Sequence, residues 1–201
     1  MSAEYPKSLN RLMEMLACLP GIGKRSAERI VFHLLKMPAE ETQAFGDAIG
    51  DIRNRIRQCR ICFNLSDGEV CNICGDSQRD QSAICVVEQA KDLLNLESAG
   101  SWKGVYHVLG GHVAPLEGVE PEDLTIDALV KRVQTDSIRE VCLATNPNLE
   151  GEETNLTLVK ALEVYPVKMT RLARGLPAGS AIEYANRSVL VDAVAGRRNV
   201  T

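Results

Sequence analysis

The spacing of apolar residues predicts helices in the first third of the chain. Apolar residues at positions 9, 12, 13 and 16 recur at helical spacing, Pro20-Gly21-Ile22-Gly23 interrupts the pattern, and helical spacing resumes over residues 27–35. We therefore expect a helix over 8–18, a tight hairpin, and a second helix that begins just after Gly23. A third helical pattern covers residues 40–57.

The pattern changes to alternating strands and helices after residue 80. Predicted strands cover residues 83–87, 105–109, 140–144 and 167–170, with predicted helices over 89–96, 124–133 and 154–162 between them. Such alternation is typical of a mostly parallel sheet covered by helices. A short strand over 181–184 and a helix over 186–195 are too small to form their own core, so we expect them to pack on the sheet or on another subunit. The predicted fold class is α+β with several domains.

Four of the seven cysteines form the pattern Cys59-x2-Cys62-x8-Cys71-x2-Cys74. Two residues between paired cysteines let both thiolates face one ion, and four sulfur ligands are typical of structural zinc. We expect one zinc ion per chain, with Asp67-Gly68 at a hairpin turn and Gly75 directly after the last ligand.

Two disulfides are the alternative interpretation of these cysteines. No signal-peptide pattern precedes them, so we expect a reducing cytoplasm, in which such pairs indicate a metal site. Cys18, Cys85 and Cys142 lie in apolar runs and are predicted to be core residues.

The charge of the chain is unevenly distributed. The 201 residues are 45% hydrophobic and carry a net charge of −4. Residues 1–60 contain 10 Lys or Arg against 7 Asp or Glu, whereas residues 61–201 contain 13 against 20. A nucleic-acid contact is therefore expected in the N-terminal part, and the aromatic content of 4% favours contacts to phosphates over base stacking. No apolar run is long enough to span a membrane, so a membrane protein is not expected.

The hairpin between the first two helices has the features of a phosphate-binding site. Gly21 and Gly23 permit backbone angles that other residues avoid, and the amide groups at the start of the second helix form the positive end of its dipole. Lys24, Arg25 and Arg29 flank this end, so we expect sequence-independent contacts to DNA phosphates. The phosphate loop of a nucleotide hydrolase does not fit, because the positions of its first glycine and of its magnesium-binding Ser or Thr hold other residues.

Acidic residues follow two of the predicted strands. Glu88 comes directly after the first strand, and Glu150-Gly151-Glu152, with Glu153, lies in the predicted loop after the third. Because ligands of parallel sheets bind beyond the carboxyl ends of the strands, these carboxylates could converge on a magnesium ion. Surface loops are also commonly acidic without a metal, so both interpretations stay open.

Six motifs occur in order along nearly the whole chain. They are Leu19-Pro20-Gly21-Ile22-Gly23, the four-cysteine segment, Val86-Val87-Glu88, Leu109-Gly110-Gly111-His112, Thr145-Asn146-Pro147-x-x-Glu150-Gly151-Glu152 and Thr170-Arg171-Leu172-Ala173-x-Gly175-Leu176-Pro177. This order resembles that of the RecR family of bacterial recombination mediators. The resemblance implies a helix-hairpin-helix region at 1–56, a zinc finger at 57–76, a Toprim domain at 82–177 and a strand-helix assembly segment at 178–201.

The resemblance also implies a function and partners. Proteins of this family form ring-shaped tetramers that enclose DNA, act with RecO and RecF, and help displace single-strand-binding protein so that recombinase loads at gaps. The DNA-binding residues of the family correspond to Arg25 and Arg29, and its acidic partner contacts correspond to Glu88 and Asp92.

Two positions depart from the family pattern. Lys24 stands where proline is common and adds positive charge, and Glu150-Gly151-Glu152 stands where catalytic Toprim enzymes have Asp-x-Asp, with no nucleophile beside it. We therefore predict a non-enzymatic DNA clamp and adaptor in recombinational DNA repair, a cytoplasmic homotetramer associated with the nucleoid. The alternative is a magnesium-dependent Toprim nuclease or primase-like enzyme that uses Glu88, Glu150 and Glu152.

Overall fold

The structure, a computed structural model, describes residues 5–135 and 137–199. The chain divides into two compact units, Met1–Ile56 and Arg57–Thr201. Helices and a mainly parallel sheet occur together, which confirms the predicted mixed fold class. No helix in the described ranges is both long and apolar enough to cross a membrane.

Three helices form the N-terminal unit: α1 (Lys7–Ala17), α2 (Lys24–Leu34) and α3 (Ala39–Arg55). They confirm the predicted order of helix, hairpin and helix. Helix α1 packs against α2, which contributes the buried residues Ala27 and Val31. Helix α3 has no buried residue.

The cysteine-rich segment begins the second unit with β1 (Arg57–Gln58) and β2 (Leu65–Ser66), an antiparallel pair, followed by the short helix α4 (Asn72–Gly75). The chain reverses at the first cysteine pair, where Phe63 has a φ of 62° and its amide donates to Cys59 O at 2.9 Å. The predicted turn at Asp67-Gly68 is wrong, since this dipeptide follows β2. The amide of Cys59 donates to Asn64 O at 2.7 Å and closes the hairpin earlier in the chain.

Four strands form one parallel sheet in the order β4-β3-β5-β6: β3 (Asp80–Val87), β4 (Gly104–Val108), β5 (Glu140–Leu143) and β6 (Lys168–Arg171). The helices α5 (Ala90–Ser98), α6 (Ile126–Thr135) and α7 (Leu149–Leu162) lie between consecutive strands along the chain. Short 3-10 turns at Pro115–Glu117 and Pro121–Asp123 precede α6. The predicted parallel sheet is therefore confirmed.

Successive residues of β3 point to opposite faces of the sheet, and both faces are covered. Ile84 lies in a cluster with Leu129 of α6 and Leu158 of α7 on one face. Cys85 lies on the other face in a cluster that includes Leu93 of α5, and the cysteine-rich segment packs beside it. This segment is therefore part of the core of the second unit.

Helix α7 begins earlier than predicted, and this places the acidic motif on a helix. The side chain of Asn148 caps α7 by accepting a hydrogen bond from Gly151 N at 2.9 Å. A Cβ atom on Gly151 would lie 2.0 Å from Asn146 O, so glycine allows this close approach. Glu150, Glu152 and Glu153 therefore lie in the first turns of α7, and their predicted position in a loop is wrong.

The last described segment contains a 3-10 turn (Ile182–Tyr184) and α8 (Arg187–Ala195), neither of which has a buried residue. The predicted strand over 181–184 is wrong, because Tyr184 N donates to Ala181 O at 3.2 Å and closes a turn. Cys85 and Cys142 are buried as predicted. Cys18 is exposed at the C-cap of α1, so its predicted core position is wrong.

Candidate metal centre and anion-binding hairpin

The four cysteines of the repeated pattern meet at one point. The Sγ atoms of Cys59, Cys62, Cys71 and Cys74 all lie within 4.8 Å of one another, and the first three residues are buried. The Sγ atoms of Cys62 and Cys71 are 3.5 Å apart. Zinc–sulfur bonds of about 2.3 Å in a tetrahedron place sulfur atoms about 3.8 Å apart. The geometry and the all-sulfur ligand set therefore fit one structural zinc ion.

The protonation of these thiols also favours a cation. A hydrogen bond from the Cys74 thiol lowers the pKa of Cys62 to about 6, and the same contact, together with burial, raises the pKa of Cys74. Burial is the main cause that raises the pKa of Cys71. The four sulfur atoms cannot all ionise in such proximity unless a positive ion offsets their charge. Zinc binding would therefore be coupled to proton release and to folding of this segment.

A hydrogen bond and a ring contact attach the cysteine-rich segment to the sheet. Val108 N in β4 donates to Cys62 O at 2.8 Å, and the rings of Phe63 and His107 meet edge to face with centroids 5.4 Å apart. Burial, followed by the charge of Arg132, lowers the pKa of His107 to about 3, so the ring stays neutral. Sequence reasoning missed this link. The only sequence signal for this contact was His107, a polar residue within the apolar pattern of β4.

The N-terminus of α2 is open to an anion. No side chain accepts a hydrogen bond at its N-cap, Gly23, and its first turn contains no acidic residue. The amide groups at this end therefore lack a side-chain cap. Lys24, Arg25 and Arg29 are all exposed, and none forms an ion pair with another described residue.

The two glycines of the hairpin differ in their backbone. Gly21 has a φ of 80°, a conformation that favours glycine, as predicted. Gly23 has a φ of −85°, which other residues also adopt, so the conformational freedom predicted for both glycines is used only at Gly21. A Cβ atom at Gly23 would meet no atom within 4 Å, so no steric contact requires glycine at this position.

Glu88 is buried at the end of β3, with 2% of its surface exposed. Its carboxylate accepts hydrogen bonds from the backbone amide and the side-chain amide of Asn146, both at 2.7 Å, and His112 Nδ1 lies 3.5 Å from Glu88 Oε2. These contacts join the carboxyl ends of β3 and β5. Asp92 caps α5 by accepting from Gln89 N at 3.0 Å.

Glu152 contacts two arginines beyond β6. Its Oε1 accepts a hydrogen bond from Arg174, and its Oε2 lies 3.6 Å from Arg171 Nη1. Within residues 5–135 and 137–199, the four cysteines are the only group of three or more potential ligands close enough to share an ion. The structure does not bring Glu88, Glu150 and Glu152 together as one such group.

Comparison with known proteins gives a match along most of the chain. Residues 9–53 match the family model of the RecR helix-hairpin-helix, residues 56–76 that of the four-cysteine zinc finger domain of RecR, and residues 82–173 that of the Toprim domain.

Relatives of similar length are also found. The chain is 48% identical to recombination protein RecR of Rhodopirellula baltica, with 96% of this chain and 97% of the relative covered. It is 49% identical to recombination protein RecR of Rubrobacter xylanophilus, with 98% and 100% covered. The chain therefore belongs to the RecR family.

Proposed function

We propose that the protein is a non-enzymatic DNA clamp and adaptor in recombinational repair, which acts with RecO and RecF to promote recombinase loading at single-strand gaps. The observation that carries the proposal is the open N-terminus of α2 with Lys24, Arg25 and Arg29 exposed around it. Backbone amides and side-chain cations bind phosphates without reading base edges, so the contact is independent of sequence.

We assign separate roles to four regions of the chain. Residues 1–56 bind DNA, residues 57–76 bind one structural zinc ion through the four clustered cysteines, residues 82–177 present a partner surface, and residues 178–201 serve assembly. The partner surface includes the acidic residues Asp92, Glu150 and Glu152, whereas Glu88 is buried and holds Asn146 instead. A negative surface attracts basic partners and steers their approach.

Exposed apolar side chains support assembly. In the C-terminal segment Ile182, Val191 and Val194 are 67%, 58% and 64% exposed. Apolar surface of this kind gains free energy when another subunit covers it. A tetrameric ring would bring several hairpins to one DNA duplex. The weak contacts of the separate hairpins would then combine into a higher overall affinity for DNA.

Salt-dependent DNA titration tests the hairpin contact. Arg25→Ala and Arg29→Ala should each reduce the slope of log affinity against log salt by about one, equally for unrelated sequences. Lys36→Ala is the matched control, because Lys36 is exposed beyond the carboxyl end of the same helix. A changed base preference, or an unchanged slope in both arginine variants, contradicts the proposal.

Incubation with magnesium and supercoiled, nicked or single-stranded DNA tests the non-enzymatic part. The contacts of Glu88 with Asn146 support a structural use of this carboxylate, so we expect no turnover from the purified protein. Sustained turnover that Glu88→Gln abolishes would establish the Toprim nuclease or primase-like enzyme instead.

A further inference from the structure

A cavity of about 140 Å³ lies beyond the carboxyl ends of β5 and β6. Its walls include Thr145 after β5, Asn155 on α7, and Arg171 and Arg174 at and after the end of β6. Three segments of the second unit therefore meet around one space. The carboxyl edge of a parallel sheet is also where ligands bind most often.

Two polar side chains of this cavity are buried without a hydrogen-bond partner. Asn155 is 8% exposed, and its amide makes no hydrogen bond within residues 5–135 and 137–199. Thr145 is 9% exposed, and its buried Oγ1 also has no partner in those ranges. Buried polar groups without partners cost folding free energy and are rare in native proteins. The Asn155 amide retains access to the cavity and can therefore bind a polar ligand there, whereas Thr145 Oγ1 lies behind the wall.

Arginine side chains give the cavity a positive charge. The side chains of Arg174 and Arg171 are 26% and 57% exposed, and Glu152 contacts both. Two cations and one carboxylate leave a net charge of +1 at the wall. Each guanidinium has five N–H groups, so donors remain for an anion after Glu152 is satisfied.

We propose that this cavity binds the phosphoryl group of a nucleotide. Hydrogen-bond donors of Asn155, Arg171 and Arg174 reach the cavity from separate segments. This arrangement suits the tetrahedral oxygens of a phosphoryl group. A planar carboxylate, in contrast, can form both of its hydrogen bonds with a single guanidinium. At about 30 Å³ per water molecule, the volume is sufficient for one phosphoryl group.

A neighbouring cavity supplies room for the rest of the nucleotide. It measures about 560 Å³, shares the wall formed by residues 171–174, and is also lined by the oppositely charged Asp192 and Arg198. The phosphoryl group occupies the smaller cavity and the nucleoside the larger one. This site lies in the second unit and does not depend on the proposed hairpin contact.

Substitution of Glu152 should change phosphate affinity in a direction that distinguishes this proposal from a magnesium site. Its charge offsets that of Arg171 and Arg174, so Glu152→Gln should strengthen phosphate binding, by up to about fivefold. If Glu152 were instead a magnesium ligand that recruits the phosphate, the same substitution would weaken binding.

Calorimetric titration of the full chain with deoxyadenosine monophosphate tests the site, with deoxyadenosine as the ligand that lacks phosphate. Arg174→Ala and Asn155→Leu should each weaken nucleotide binding about tenfold or more, because each removes a hydrogen bond to a charged group. Asn155→Leu should leave the melting temperature nearly unchanged, since the Asn155 side chain makes no hydrogen bond within the described residues. Arg139→Ala is the control, because this arginine precedes β5 and its side chain is 78% exposed.

Competition experiments in the Arg25→Ala, Arg29→Ala double variant identify the source of the phosphate. Displacement of the mononucleotide by a 5′-phosphorylated single strand assigns the site to DNA, and failure of that strand to displace it assigns the site to free nucleotides. Both results support a phosphoryl site, and neither depends on the hairpin. Equal binding of deoxyadenosine, equal affinity in all variants, weaker binding by Glu152→Gln, or no binding of either the nucleotide or inorganic phosphate would overturn the proposal.

Discussion

The two compact units differ in how much apolar surface they bury. In the described part of the N-terminal unit, Ala27 and Val31 are the buried apolar residues. In the second unit, a single cluster on one face of the sheet gathers 14 buried apolar residues. Since burial must offset the conformational entropy lost on folding, the second unit can be stable on its own contacts. The N-terminal unit has far fewer buried apolar residues to offset that entropy.

Helix α3 shows where further apolar contacts can form. Helical spacing relates three residues of α3 and the residue just beyond its end: Phe45, Ile49, Ile52 and Ile56, which are 48%, 57%, 61% and 39% exposed. This apolar stripe has no covering partner within the described residues of its own unit. The proposed oligomer accounts for it, because a second copy of the chain can bury the stripe.

The largest effect is expected at the four clustered cysteines, whose geometry fits a structural zinc ion. Cys71→Ser should lower the melting temperature by more than about 10 °C, because loss of a structural zinc removes several kcal/mol from the folding of its segment. Cys18→Ser is the control, since Cys18 is exposed and outside the cluster. Thermal unfolding together with metal analysis, which should find one zinc ion per chain, checks this expectation. An unchanged melting temperature in metal-free protein would contradict it.

Truncation of one apolar side chain in each unit sharpens the comparison. Leu158→Ala should lower the free energy of unfolding by about 2–5 kcal/mol, because Leu158 is fully buried in the sheet core. Ile49→Ala should lower the free energy of unfolding by less than about 0.5 kcal/mol in dilute protein, because Ile49 is exposed. Urea denaturation at low concentration measures both. Equal losses of unfolding free energy in the two variants would show that the apolar side chains of α3 are buried within a single chain.

Deletion of residues 181–201 tests whether assembly supports DNA binding. The deletion removes none of Lys24, Arg25 or Arg29, yet affinity should fall by about tenfold to a hundredfold as the oligomer dissociates. Sedimentation and DNA titration of the truncated chain measure both properties. Full-strength binding by a folded species of lower order would show that the hairpin suffices without a clamp.

A modest effect is expected from pH on the stability of the second unit. His107 is neutral when folded because its pKa is lowered to about 3, whereas an unfolded chain has a histidine pKa of about 6.5. As the pH falls, the unfolded state therefore takes up a proton at His107 before the folded state does. The contribution of neutral His107 to the free energy of unfolding is present above pH ~6.5 and is lost as the pH falls toward 3. The loss between pH 7 and 5.5 should be about 1 kcal/mol.

Urea midpoints at these two pH values check the expectation. His107→Gln should flatten the dependence, and His33→Gln, an exposed histidine on α2, should leave it unchanged. The same slope in all three proteins would assign the pH dependence to other groups.

Features with local causes could be predicted from the sequence. Helical spacing predicted α1 and α2 because each helix follows from its own residues, and apolar runs predicted the strands of the sheet. The spacing of Cys59, Cys62, Cys71 and Cys74 predicted their convergence, since two-residue gaps restrict where the sulfur atoms can lie. Local sequence was sufficient in these cases.

Features that depend on tertiary contacts could not be predicted. The early start of α7 requires the close approach of Gly151 to Asn146, two segments that the sequence pattern had assigned to one loop. The engagement of Glu88 by Asn146 depends on the neighbouring positions of β3 and β5. Carboxylates that the sequence grouped together therefore have separate partners, and no spacing rule shows this.

The hydrogen bond between Val108 and Cys62 has a consequence for aggregation. Strand β4 lies at one edge of the sheet, and an open edge offers unpaired amides to strands of other molecules. The cysteine-rich segment occupies part of this edge, because Cys62 O accepts from Val108 N. A zinc ion that organises the cysteines would thereby also protect the sheet from extension by neighbouring chains. Depletion of zinc should make the protein self-associate through β4 even before the sheet itself unfolds.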